Sequence, residues 1–192
     1  ELDSELAKDF HKKLHKSEGC VTILLTGSYD GLTKKLFDSI CMGAAESSLE
    51  KKFKNKLLNY HKDHREDPQS GNVLEAISML QVFLQKSKLN FKGITITIDE
   101  LGKHVEYAGS NQRDGDIYIL QELAEHCVKE SEIPVFFNVM LHQAIEFYAK
   151  DLDKETKNEW RKIQGRFEEI SFIEGPEQSM RVIAKALNHN LN

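Results

Sequence analysis

Two adjacent carboxylates, Asp99 and Glu100, follow the run Ile94–Thr95–Ile96–Thr97–Ile98. Isoleucine alternates with threonine there, the period of a β-strand, so the acids stand where a strand ends. Charged groups at the end of a buried strand are costly unless they have a task. Phosphate chemistry offers one. The first carboxylate holds Mg²⁺, directly or through water, and the second orients and deprotonates an attacking water. The plainer alternative is a strand that simply ends where two acids meet solvent, and the segment alone leaves both readings open. The turn at 27–31 (GSYDG) is a second candidate, because it follows a strand-like run and opens a helical pattern, as a phosphate-cradling loop does. Its spacing is wrong for that work. Leu32 stands where the second glycine would be, Thr33 precedes Lys34 instead of following a lysine, and no G-x-x-x-x-G-K-[ST] occurs anywhere in the chain. Residues 27–31 therefore read as a turn.

Other chemistries find little support. His11 and His15 stand four apart on a helical pattern, but a zinc site needs three or four ligands and no Cys or acid is spaced to complete one. No G-x-S-x-G surrounds Ser28 and no C-x-x-C exists. Cys20, Cys41 and Cys127 are far apart in apolar surroundings and read as small core hydrophobes in a reducing, cytoplasmic setting. His104, just beyond the acid pair, reads as a loop residue. The most basic stretch is 51–65, where Lys51, Lys52, Lys54, Lys56, Lys62 and Arg65 face Asp63 alone, with Phe53, Leu57 and Tyr60 as its apolar stripe. Lys51, Lys52, Lys54 and Lys56 could meet nucleic-acid phosphates, or form an ordinary solvated face.

The elements that must position these groups alternate along the chain. Residues 4–16 predict a helix on Leu6, Phe10 and Leu14. The run 20–26 (CVTILLT) predicts a strand buried on both faces. Helices follow at 32–42, 46–64 and 73–85, and then the strand at 93–99. A loop covers 109–115 and a helix 116–128. Pro134 opens a strand at 134–140, a first position that tolerates proline. Helices at 141–149 and 154–164, a strand at 167–173 and a helix at 176–187 complete the pattern. Strands separated by helices predict an α/β fold: a mainly parallel sheet flanked by helices, with ligands at the carboxyl ends of its strands.

Composition sets the bounds. The chain has 192 residues, enough for one domain, with 40% hydrophobic and 30% charged residues, which excludes a disordered chain. No run approaches the roughly 18 apolar residues that span a bilayer, so no membrane is expected. The net charge of −5 excludes a wholly basic nucleic-acid coat while leaving local basic patches open.

The chain resembles the core of P-loop ATPases of the additional-strand class, the AAA type in particular. The residues that carry the resemblance are the strand and acid pair at 96–100 (ITIDE), the strand at 134–140 with its sequel Leu141–His142–Gln143, and the run 158–170 (NEWRKIQGRFEEI). That last run, with LHQ, is similar to large bacterial ATPases of defence or DNA-modification systems. The resemblance covers about residues 18–187 and implies ATP and Mg²⁺ as cofactors. It implies that Asp99 holds Mg²⁺, that Glu100 activates water, and that Asn138 or His142 senses the γ-phosphate. Arg161 or Arg166 would act on a neighbouring subunit's ATP, in a homo-oligomer. The departure is the missing phosphate loop. The resemblance therefore implies a P-loop NTPase-like sheet lacking the phosphate-loop strand and helix, which would lie upstream of Glu1; a first residue that is not Met agrees with this. Residues 1–192 would form one truncated ATPase-like domain with a helical insertion at about 44–90, inactive by itself. The rival expectation is a degenerate, non-catalytic nucleotide-binding-like fold serving as an interaction or regulatory module.

Overall fold

The computed structural model describes residues 19–46, 49–111, 117–143, 147, 154–170, 180 and 184. Strand β1 (Gly19–Thr26) leads into helices α1 (Leu32–Glu46), α2 (Lys51–His64) and α3 (Ser70–Lys86), and these return the chain to strand β2 (Phe91–Asp99). Helices α4 (Gly102–Ser110) and α5 (Tyr118–Cys127) precede strand β3 (Val135–Val139), and α6 (Lys154–Gln164) follows it. The three strands form one sheet in the order β1-β2-β3, parallel throughout. The expectation of an α/β fold with a parallel sheet and flanking helices is met at this level.

Strand order fixes where the helices go. A crossover between parallel strands is right-handed, so successive crossovers that step in one direction put their helices on one face. Here α1 packs on β1, α3 on β2 and α5 on β3. The covered face carries Val21, Ile23 and Leu25 in register with Ile94, Ile96 and Ile98, and these face Val135, Phe137 and Val139. The three isoleucines of β2 are completely buried. Each such side chain removed from water contributes about 1.5–3 kcal/mol. The opposite face carries Thr22, Leu24 and Thr26, Thr95, Thr97 and Asp99, and Phe136, Asn138 and Met140. Leu24 is 70% exposed and Phe136 50%. The expectation that 20–26 is buried on both faces is thus corrected: β1, an outer strand among the described residues, alternates buried with exposed. Gly93 lets the strands close up, since a Cβ there would stand 2.9 Å from the Pro134 carbonyl oxygen and 3.1 Å from the Phe136 ring.

The long connection between β1 and β2 belongs to the same core as the sheet. Phe53 of α2 stacks on Phe83 of α3, with ring centroids 4.1 Å apart. His61 of α2 meets Asp38 of α1 at 2.6 Å. The Tyr60 hydroxyl donates to Glu75 at 2.7 Å and accepts from Asn72 at 3.1 Å. Farther along the chain, Trp160 and Ile163 of α6 are buried, and α6 packs on α5.

Several boundaries differ from expectation. The helix expected at 32–42 runs on to Glu46 as α1, and the one expected at 46–64 starts at Lys51 as α2, after the N-cap residue Glu50. Residues 102–110 form α4, where only a loop was expected at 109 and 110 and nothing regular before them. Residues 141–143 and 167–170 are neither helix nor strand. Expectations for 4–16, for 171–173 and for most of 144–149 and 176–187 lie outside the described residues.

Candidate functional site

The carboxyl ends of the strands bring together the 27–31 loop, the acid pair at the end of β2 and the residues after β3. Asp99 is the last residue of β2, exposed on the open face and in register with Thr26. Glu100 turns the chain from the sheet into α4. Its φ of 57° makes it the one non-glycine residue with positive φ among the described residues, a left-handed conformation that costs an L residue about 1–2 kcal/mol. The neighbours hold it there. The Leu101 amide donates to the Met140 carbonyl at 3.1 Å, and the Met140 amide donates to the Ile98 carbonyl at 2.8 Å. On the other side the Gly27 amide donates to the Asp99 carbonyl at 2.7 Å. Gly27 sits so close to Glu100 that a Cβ would stand 2.1 Å from the Glu100 carbonyl oxygen.

The Glu100 carboxylate is bound by groups from two elements. Lys103, in the first turn of α4, pairs with Oε2. His142, beyond β3, places Nε2 3.3 Å from Oε1. Lys103 first and then His142 hold this carboxyl below the usual carboxylate range. Asn138 is exposed on the open face of β3, beside Thr97. The structure thus gathers Asp99, Glu100, Asn138 and His142 at one end of the sheet. Arg161 and Arg166 belong to a different neighbourhood. Arg161 is exposed on α6. Arg166 donates to Glu125 of α5 at 2.8 Å and to the Lys162 carbonyl at 3.1 Å. Glu168 and Glu169 are exposed, and the ion-pair partner of Arg166 is Glu125.

Two residues of this site were not legible as such. Lys103 reaches Glu100 because 102–110 is helical, and Leu101, Val105 and Ala108 carry the apolar spacing that signals the helix. His104 is a correction: it is a buried helix residue, not a loop residue. Its Nδ1 lies 2.8 Å from the Asp30 carbonyl oxygen, and the Ser28 amide points to its Nε2 at 3.5 Å.

The 27–31 loop is unsuited to cradling phosphate. The amides of Gly27, Ser28, Asp30 and Gly31 are directed to Asp99, His104, Ser28 and the Asp30 carboxylate respectively. A phosphate loop presents such N–H groups to the ligand. A divalent cation is a separate question. Mg²⁺ keeps several waters and needs only one or two carboxylates alongside substrate phosphates. Asp99, exposed at the strand end, fits that demand, whereas Glu100 is already engaged by Lys103 and His142. Among the described residues, no three His, Cys, Asp or Glu side chains form a ligand set for a metal; His11 and His15 lie outside the described residues. Lys51, Lys52 and Lys56 are exposed and Lys54 is half-buried, all in the first two turns of α2. No helix among the described residues is long and apolar enough to cross a membrane. No family model, curated protein or solved structure matches the chain.

Proposed function

We propose that this chain carries the acidic half of an ATP-hydrolysing site in a larger, oligomeric machine, and that the phosphate-binding loop comes from outside the described residues. One observation carries the reading: an acid pair ends the middle strand of an all-parallel sheet, and its second carboxylate is gripped by side chains from two neighbouring elements. Ligands of open α/β sheets bind at this end. Strand β3 pairs only with β2 among the described residues, which leaves its outer edge for the phosphate-loop strand that the resemblance implies. Asp99 would hold Mg²⁺, whose chemistry is to neutralise phosphate charge. Glu100 Oε1 accepts a hydrogen bond from the attacking water and orients it. Lys103 and His142 keep this carboxylate ionised and aimed. Asn138 or His142 would sense the terminal phosphate, and Arg161 or Arg166 would act on a neighbouring subunit's ATP.

A specific observation favours the rival reading of a non-catalytic interaction module. The 27–31 amides are internally engaged, and the open sheet face shows Leu24, Phe136 and Met140. Phosphate release from MgATP by the intact gene product separates the two. Glu100→Gln keeps nucleotide binding and lowers turnover by about 10²–10⁴-fold, the usual worth of a positioned base; Asp99→Asn weakens Mg²⁺-dependent binding as well. A protein that neither binds nor hydrolyses MgATP is an interaction module, and full turnover in Glu100→Gln removes the acid pair from the chemistry.

A further inference from the structure

The geometry points to His104 as a positioning residue: a neutral imidazole, protonated on Nδ1, that latches the 27–31 loop to α4 and so fixes the backbone at Glu100. The latch does not depend on what the site binds. Both ring nitrogens face backbone groups of one loop, 74 and 76 residues away in sequence. The Asp30 carbonyl can only accept, so the nitrogen 2.8 Å from it carries the proton. The Ser28 amide can only donate, so Nε2 must be bare. Only the neutral Nδ1–H tautomer satisfies both. The loop so held carries Gly27, whose amide binds Asp99 and whose backbone lies against the Glu100 carbonyl. The circuit closes through α4, where the His104 amide donates to the Leu101 carbonyl at 3.0 Å. Tyr29, at the tip of the loop, packs edge-on against Tyr107 of α4 at 5.2 Å and gives the latch a second, apolar contact.

Protonation opens the latch, because a cationic ring sets an N–H against the Ser28 N–H. Burial disfavours that charge and lowers the ring below the ordinary histidine value of 6.5. Two charged groups face the ring: Asp30 from the loop, which favours the cation, and Lys35 from α1, which opposes it. They are paired with each other at 3.3 Å. The unfolded chain therefore takes up a proton at a higher pH than the folded one. The contribution of the neutral ring is fully present above about pH 6.5 and is lost as pH falls from there through the folded-state value.

Nuclear magnetic resonance on the full chain tests this. In the native protein at about pH 7.5 the His104 ring shows a protonated Nδ1 and a bare Nε2, and it titrates below the ordinary histidine value. A ring protonated on Nε2, or one titrating at the ordinary value or above, overturns the proposal without any variant. His104→Asn puts an amide nitrogen in the place of Nδ1 and drops the acceptor for Ser28; His104→Gln reaches the place of Nε2 with an oxygen. Exchange of the Ser28 amide should quicken at least about tenfold in His104→Asn, as for loss of about 1.4 kcal/mol of protection, and return toward native in His104→Gln. Backbone resonances of Gly27 and Glu100 should move in His104→Asn while those of Leu80 and Ile96 stay. Equal Ser28 exchange in all three proteins refutes the latch.

Discussion

Replacing Gly27 by alanine tests how tightly the end of β1 is held against the acid pair. The Gly27 backbone lies in a region open to any residue, since Gly19 is the only glycine with positive φ among the described residues. The cost is therefore steric. The added methyl carbon would stand 2.1 Å from the Glu100 carbonyl oxygen and 2.8 Å from its carbon, about 1 Å inside normal contact. Both partners are backbone atoms, so no rotamer change relieves the clash. Glu100 is pinned on its far side by the bond from Leu101 to Met140. The loop must lift, which breaks the 2.7 Å bond from Gly27 to Asp99. A lost hydrogen bond of this kind is worth about 0.5–1.5 kcal/mol, and overpacking costs about 1–3 kcal/mol. The sum, about 1.5–4.5 kcal/mol, lowers Tm by roughly 3–18 °C in a domain of this size. Gly71 in α3 is the control, because nothing lies within 4 Å of a Cβ there; alanine at a helical position is favoured by up to about 1 kcal/mol. Urea and thermal unfolding, followed by circular dichroism and by the emission of Trp160, the chain's single tryptophan, measure both. Gly27→Ala as stable as the native protein would refute the close packing at Glu100 and the loop placement built on it.

Ile96→Ala, in the middle of the central strand and fully buried, should cost about 2–5 kcal/mol, while Thr97→Ala on the half-buried face should cost under about 1 kcal/mol; similar losses at both would mean that both faces of the sheet are packed alike. If Lys51, Lys52, Lys54 and Lys56 touch duplex DNA, replacing all four by Gln flattens the plot of log affinity against log salt by about 0.9 for each phosphate no longer neutralised, and an unchanged affinity and slope would end the nucleic-acid assignment.

The sequence by itself determined the class of the fold and the location of its acidic end. Ile94 to Ile98 alternate with threonines, so that strand and the two acids closing it follow from side-chain period alone. The runs at 20–26 and 134–140 likewise mark strands, and the helical stretches between them imply parallel crossovers. Tertiary structure decided the rest. That β1 has one open face depends on strand order, since crossovers stepping in one direction place their helices on one side. Composition cannot show this, because Leu24 is as apolar as its buried neighbours. The turn at Glu100 depends on φ, and glutamate carries no preference for the left-handed region that a reader could use. The meeting of His142 with Glu100 across 42 residues, and of His104 with a loop more than 70 residues away, joins segments distant along the chain. Local propensity reports which element a residue enters. Which backbone groups it will then meet is set only when the sheet brings the ends of its strands side by side.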